Sequence, residues 1–323
     1  MKIVFAGTPA AAALTLKALL QSQHEILAVI TRPDSLVGRK KQLTESPVAA
    51  IAQAAGLKVI KTRSIDSTLA DTIESLGAQL GVVVAYGSIF NSRALHMFPL
   101  GWLNIHFSLL PDWRGAAPVQ QALIAGDRET GVTLFRLEDG IDTGPVYSRV
   151  ATPIEPDETA GDLLDRLALI GVSALMETLP LLESGLMQPV AQTAGDEANQ
   201  KIRIARKPSR EQAKIDWLQS STSIEQLVRG MNPEPMAWTI VNGQSFRLIE
   251  ARAIGPVDAL TLLDDSGEAQ PGACFESHRR VFVVCGQQTI LELKSVQPFG
   301  KKPMQPADWL RGQNRTESVV FSK

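Results

Sequence analysis

The sequence predicts an α/β chain: a doubly wound, mostly parallel sheet, followed by a smaller β-barrel domain. Three observations predict it. Up to Gln192, short apolar runs alternate with helical stretches, the pattern of strands and helices that covers both faces of a parallel sheet. The first apolar run ends in Ala6-Gly7-Thr8-Pro9, a tight turn into an Ala/Leu-rich segment. After Gln192 the composition becomes polar and basic, then gives way to short β-like pieces at regular spacing, which suggests a small barrel.

Residues 2–6 read as a buried parallel strand, 7–9 as a turn and 10–20 as the helix that follows. A GxGxxG phosphate loop is absent, because Ala10 and Ala12 stand near where further glycines are needed. Gly7 is therefore read as a tight turn rather than part of a dinucleotide site. Residues 26–31 form a second strand. Residues 32–47, polar, basic and punctuated by Pro and Gly, form a long loop. A helix at 48–55, a short strand at 58–60 and a helix at 69–76 follow. Residues 80–85 are an apolar strand ending at Tyr86-Gly87, and 102–106 are another. A helix covers 117–125. Residues 132–137 and 144–152 read as a hairpin around an Asp-Gly turn, and 159–183 as a long amphipathic helix. The expected organisation is a domain over 1–194, a basic linker over 195–210 and a second domain over 211–323. The latter opens with a helix at 223–229. Strands follow at 237–241, 245–253, 272–276, 280–285 and 289–296.

The 323 residues, 44% hydrophobic, suffice for one large domain or two ordinary ones. A net charge of -2 speaks against a general polyanion-coating surface but permits a local basic one. Cys274 and Cys285 fit a reduced cytoplasmic protein. Two buried thiols are the favoured reading and a disulfide the alternative. No CxxC or Cys/His cluster points to zinc, and no metal is expected. The start, MKIVFAGTP, lacks the features of a signal peptide, and no apolar run approaches the ~20 residues that cross a bilayer. No membrane partner is expected, and a monomer is the default.

The segment NIHFSLLPDWRGAAPVQ, residues 104–120, carries the chemistry. Residues i and i+2 of a strand share a face, so Asn104 and His106 enter one cleft together. An amide donor beside an imidazole suits a tetrahedral oxyanion, and one such donor is typically worth roughly 3–4 kcal/mol in the transition state. The alternative is a pair of satisfied polar residues at a strand end. Asp142 lies in GIDTG, residues 140–144, where glycines let the backbone approach a ligand. A carboxylate near His106 raises its pKa and handles an amine proton; the alternative is a plain turn residue. Ser108, Leu109, Leu110 and Pro111, with Arg114-Gly115, are candidates for a pocket wall. His24 is read as a surface residue, and His96 and His278 as structural. Arg39, Lys40 and Lys41 form a cationic run, either a solvated face or an arm that reaches phosphates. The cations at 201–210, with Arg206 and Lys207, and Lys301-Lys302 extend the same possibility.

NIHFSLLPDWRGAAPVQ together with GIDTG resembles the formyltransferase family that uses 10-formyltetrahydrofolate. The resemblance runs from AGTP through AYG at 85–87 to IDW at 215–217, QPFGKKPM and ADWLRG, and so spans both domains. It implies a Rossmann-like catalytic domain and an OB-like barrel. It further implies an enzyme that formylates the methionine on initiator tRNA. By that resemblance Asn104, His106 and Asp142 are the catalytic trio, with protonated His106 and Asn104 on the oxyanion and Asp142 keeping His106 charged. Folate is implied near Tyr86, Gly87, Ser108, Leu109, Leu110, Pro111 and Gly140. The tRNA is implied at Arg39, Lys40, Lys41, Arg206, Lys207, Lys301 and Lys302. Lys40, Phe107 and Glu234 stand where the family pattern has a glycine, a small residue and an aromatic. Two rival readings are a sugar-amine formyltransferase with the same trio and a non-catalytic RNA-binding protein.

Overall fold

The computed structural model describes residues 1–38, 41–192, 202–255, 258–260, 262, 270–313 and 319–322. The chain forms two compact units. The first comprises Met1–Pro118, Glu129–Pro153 and Leu164–Ala205; the second comprises Val119–Arg128, Ile154–Leu163 and Arg206–Lys323. Residues 195–201 of the expected linker lie outside the described residues, while Ile204–Ala205 form a short strand in the first unit.

The first unit is built on a seven-stranded sheet. Its strands are β1 (Lys2–Gly7), β2 (Glu25–Thr31), β5 (Val59–Lys61), β6 (Leu80–Val84), β7 (Trp102–His106), β9 (Glu129–Arg136) and β10 (Val146–Pro153). Their spatial order is β10-β9-β7-β6-β1-β2-β5. The five from β7 to β5 run parallel. Apolar side chains fill β1 and β6 on both faces, as a sheet covered on both sides demands. The helices between them are α1 (Ala10–Leu20), α2 (Pro47–Ala54), α3 (Ser67–Glu74) and α4 (Ser92–Leu95). Helix α2 starts where Ser46 Oγ accepts from Ala49 N at 3.0 Å, with Pro47 in the first turn. Asp66 caps α3 in the same way. The chain order reverses between β1 and β6, which is where such sheets open a crevice.

Three observations depart from the sequence reading. Within the expected loop 32–47, β3 (Ser35–Val37) and β4 (Gln42–Thr44) pair as a small antiparallel hairpin. Its strands are three residues each, too short to show a period. His24 is buried, not on the surface, with Nδ1 3.1 Å from the Met1 amino group. Burial, aided by that amino group, lowers its pKa. Strand β9 runs antiparallel to β7 within the mostly parallel sheet, while β10 pairs antiparallel with β9 as the expected hairpin. A further pair joins β8 (Arg114–Gly115) to β11 (Ile204–Ala205) in parallel. Helix α5 (Pro118–Ala125) lies in the second unit from Val119 on, and α6 (Ala160–Glu183) belongs to the second unit as far as Leu163 and to the first from Leu164.

The second unit holds α7 (Ser221–Gly230), β12 (Trp238–Val241), β13 (Gln244–Ala253), β14 (Cys274–Ser277), β15 (Arg280–Cys285), β16 (Thr289–Pro298) and α8 (Pro306–Arg311). The strands form one antiparallel sheet in the order β12-β13-β16-β15-β14. Residues 319–322 close it. Ser322 exchanges backbone hydrogen bonds with Ile240 of β12, while Cys274 N donates to Val319 O and Phe321 N to Gly272 O on the far edge. These residues thus bridge the two edges of the sheet and close it into a barrel. Inside it Phe321 stacks on Trp217 and Trp309, and Phe246 packs at a tilt against Trp309 and Phe321. Cys274 and Cys285 are free and buried, and burial pushes both thiols up to about 12. Among the described residues no helix is long and apolar enough to cross a membrane. Nor, among them, do three or more His, Cys, Asp or Glu side chains gather as metal ligands.

Candidate active site

Strand periodicity sets the first two groups of the site. Ile105 faces α6, where a Cβ on Gly171 would come 2.8 Å from its Cγ2. Asn104 and His106 therefore face the other side of the sheet together. Asn104 is half-buried, and its amide makes no hydrogen bond among the described residues. An amide in that state is ready to donate to a ligand.

The third group arrives by a route the sequence does not show. Because β9 is antiparallel, Thr133 pairs with His106 and Arg136 with Leu103. The 137–145 loop thus leaves the sheet near the amino end of β7 and folds back over the face that carries Asn104 and His106. This brings Asp142 Oδ2 to 3.7 Å from His106 Nδ1. Gly144 makes the return possible: a Cβ there would lie 1.8 Å from Arg136 O. Asp142 itself has a φ of 52°, and its Oδ2 accepts from Gly115 N at 2.8 Å.

His106 is 6% exposed, and its Nε2 lies 3.0 Å from Trp113 O. A carbonyl only accepts, so Nε2 carries the proton and Nδ1 presents a lone pair toward Asp142. Burial lowers the pKa of His106; Asp142 and the Trp113 carbonyl oppose this but do not overcome it. The resting imidazole is therefore neutral. This corrects the expectation that Asp142 keeps it charged: at 3.7 Å the carboxylate does not repay the desolvation of a buried cation.

Gln192 is a site residue that sequence reasoning missed. Its Nε2 donates to Asp142 O (2.9 Å) and Gly144 O (2.7 Å), and its Oε1 accepts from Arg114 Nη2 (2.7 Å). It latches the Asp142 loop from fifty residues away in the chain, a separation at which no local pattern signals contact. Trp113 was likewise invisible, because its contribution is a backbone carbonyl.

The candidate folate residues divide. Ser108 Oγ is spent on Asp112 O at 2.7 Å, and Leu110 is buried against Phe135 and Val146. Thr133 Oγ1 donates to Ser108 O (2.6 Å) and accepts from Leu110 N (3.1 Å), pinning this loop to β9. Leu109 and Pro111 are half-buried and remain available for contact. Tyr86 is buried, with its hydroxyl on Thr62 O (3.0 Å) and its ring near Phe90. Gly87, at φ 81°, has open space beside its Cα, and its carbonyl accepts from Arg32 Nη1 at 2.5 Å. Gly140 has φ 106°, a backbone form that L side chains avoid. A cavity of about 530 Å³ opens at the β1–α1 turn, lined in part by Thr8, Pro9, Arg32, Leu36, Leu43 and Arg63.

Of the expected tRNA residues, Arg39 and Lys40 lie outside the described residues. Lys41 is exposed at the turn between β3 and β4, in the first unit. Arg206, Lys207, Lys301 and Lys302 are exposed on the second. Among the departures from the family pattern, Phe107 is buried and Glu234 exposed.

The formyl transferase family model matches residues 1–179, and the model for the formyl transferase C-terminal domain matches 207–314. The methionyl-tRNA formyltransferase of Arthrobacter sp. (strain FB24) is 42% identical over 321 residues, covering 99% of this chain and all of the relative. That of Streptomyces coelicolor is 41% identical over 319 residues, 98% of each. Among solved structures, an N-formyltransferase from Helicobacter canadensis in complex with folinic acid and dTDP-3-aminofucose shares the fold. It is 19% identical with a TM-score of 0.67, covering 93% of this chain and 100% of that one.

Proposed function

We propose, for a chain that belongs to the methionyl-tRNA formyltransferase family, that it transfers the formyl group of 10-formyltetrahydrofolate to the α-amine of methionine on initiator tRNA. It does so as a cytoplasmic monomer. The observation that carries the reading is the setting of His106. Its Nε2 is held by Trp113 O, its Nδ1 faces Asp142 and Asn104 stands on the same sheet face. The near end-to-end likeness to relatives of that name supports the choice of acceptor over an amino sugar.

The folate donor supplies an activated formyl carbon bonded to N10. Gly87, with open space beside it, and Leu109, Pro111 and Gly140, each with exposed surface, are the parts of the expected site available to receive it. The neutral amine forms a bond to the formyl carbon, and Asn104 donates its amide N–H to the oxygen as charge develops there. His106, neutral at rest, takes the amine proton at Nδ1. Asp142 stabilises the imidazolium once it forms, and the charge is short-lived. The proton passes to N10 as its bond to the formyl carbon breaks. No group on the protein becomes acylated. Lys41, Arg206, Lys207, Lys301 and Lys302 offer the cations that phosphates would meet, together with Arg39 and Lys40.

The test is formyl transfer by the purified protein to methionyl initiator tRNA, charged elongator tRNA and an amino-sugar nucleotide, side by side. Transfer confined to the initiator is expected. Transfer to the sugar alone would overturn the acceptor, and transfer to none would overturn the reaction.

A further inference from the structure

One loop flanks both His106 and Asp142. Residues 112–115 supply two contacts to the site: Trp113 O to His106 Nε2, and Gly115 N to Asp142 Oδ2. Trp113 sits at φ 60° and Gly115 at φ 124°. For tryptophan the left-handed region costs about 1–2 kcal/mol, so the loop needs support from outside.

That support is the strand around β11. Arg203 Nε and Nη2 reach Asp112 Oδ2 at 3.1 and 2.6 Å. The same guanidinium lies over the Trp113 ring, 4.3 Å from its centroid. Arg203 O accepts from Trp113 N at 2.8 Å. Ile204 and Ala205 then pair with Arg114 and Gly115, and Ala205 O accepts from Ala116 N at 2.8 Å. The approach is so close that a Cβ on Gly115 would come 2.6 Å from Ala205 O. One side chain, Arg203, thus grips both Trp113, whose carbonyl faces His106, and the residue before it, Asp112.

We propose that Arg203 is a positioning residue for formyl transfer. It acts through Asp112 and Trp113 to hold the carbonyl that keeps the His106 proton on Nε2 and leaves Nδ1 free to accept the amine proton. This rests on the reaction proposed above. Arg203 belongs to the cationic stretch that the sequence offers to tRNA phosphates, but Asp112 neutralises it and Trp113 stacks on it. Its work is therefore inside the site.

The test combines kinetics with ¹⁵N NMR of the four histidine rings in the full-length protein, with His106 assigned by its loss in a His106→Gln sample. The wild type is expected to show His106 as a single neutral Nε2–H tautomer. Arg203→Ala should lower kcat about 10- to 100-fold, as small misplacements of a reacting group do. KM for folate and for tRNA should stay within about twofold. Its His106 signal should become a mixture of tautomers. Arg203→Lys, which keeps the charge over Trp113, should recover part of kcat and of the single tautomer. Asp112→Asn should resemble Arg203→Ala, which also serves if the alanine variant folds poorly. Arg93→Ala, which removes an exposed arginine from Asp71 and Glu74, is the control and should change neither readout. An unchanged tautomer with unchanged kcat in Arg203→Ala would overturn the proposal. So would a rise in KM for tRNA alone, which would make Arg203 a phosphate contact. A wild type inactive toward every acceptor would refute the reaction, while the tautomer comparison would still judge the positioning.

Discussion

The proposed catalytic set, Asn104, His106 and Asp142, consists of three ordinary side chains whose surroundings would make them reactive. If Asn104 holds the oxyanion, Asn104→Ala should lower kcat about 100- to 1000-fold while KM for folate changes little. An equal loss in both would assign it to ground-state binding. The buried imidazole makes a second prediction. His106 must be neutral to accept a proton, and burial lowers its pKa. A pH profile of kcat/KM should therefore fall on the acid side in two steps, first near the ordinary α-amine value of about 7.7–8.0, where the methionyl amine takes up a proton, and then in a lower acid limb that belongs to His106, below the ordinary histidine value of about 6.5. Asp142 opposes that lowering, so Asp142→Asn should move the His106 limb to still lower pH while reducing kcat. A limb that moves upward would reverse the sign of the Asp142 influence. Asn104 and His106 were legible in the sequence because strand alternation forces them onto one face. That Asp142 meets them was not legible, because the direction of β9 decides it. Gln192 was hidden by its distance along the chain, and the charge on His106 by the depth of its burial.

The strands show how packing fixes this geometry. Residue Gly81 of β6 lies against the Trp102 indole of β7, where a Cβ would fall 2.2 Å from Cε3. Trp102 is itself fully buried, donates its indole N–H to Ala94 O at 2.8 Å and packs at a tilt against Phe90 and Phe98. It has no room to retreat. Gly81→Ala should destabilise the protein by about 1–3 kcal/mol, read as a lowered midpoint in urea with an unchanged slope. An unchanged midpoint would mean that β7 shifts freely against β6. The parallel core was legible from its apolar runs, which admit no other burial. The β3–β4 hairpin was not, since it exposes Leu36, Val37 and Leu43 and its local sequence looks like loop. The pairing of β8 with β11 was equally hidden: two-residue strands have no pattern of their own.

The two compact units answer to different stresses. In the barrel, Phe321 stacks against Trp217 and Trp309 while its backbone stitches the edge next to β14. Phe321→Ala should cost about 3–5 kcal/mol and lower the thermal midpoint followed by tryptophan fluorescence. A shift of less than a degree would show that the last residues are not part of the barrel. Acid acts on the first unit instead. His24 and His106 both have pKa values lowered by burial. The unfolded chain therefore takes up protons first, and stability that is complete above about pH 6.5 declines as the pH falls from there through the folded values.

The two residues that flank the imidazole, Trp113 and Asp142, both hold left-handed backbone forms. Neither would keep that form in a free loop; each does so because neighbouring strands and side chains insist. As denaturant loosens those neighbours, these two peptides are poised to relax while the sheet beneath them is still whole. Activity should then vanish at lower urea than helical ellipticity does. The enzyme would be silenced while still folded, and dilution should restore it within the time of a loop rearrangement rather than that of refolding.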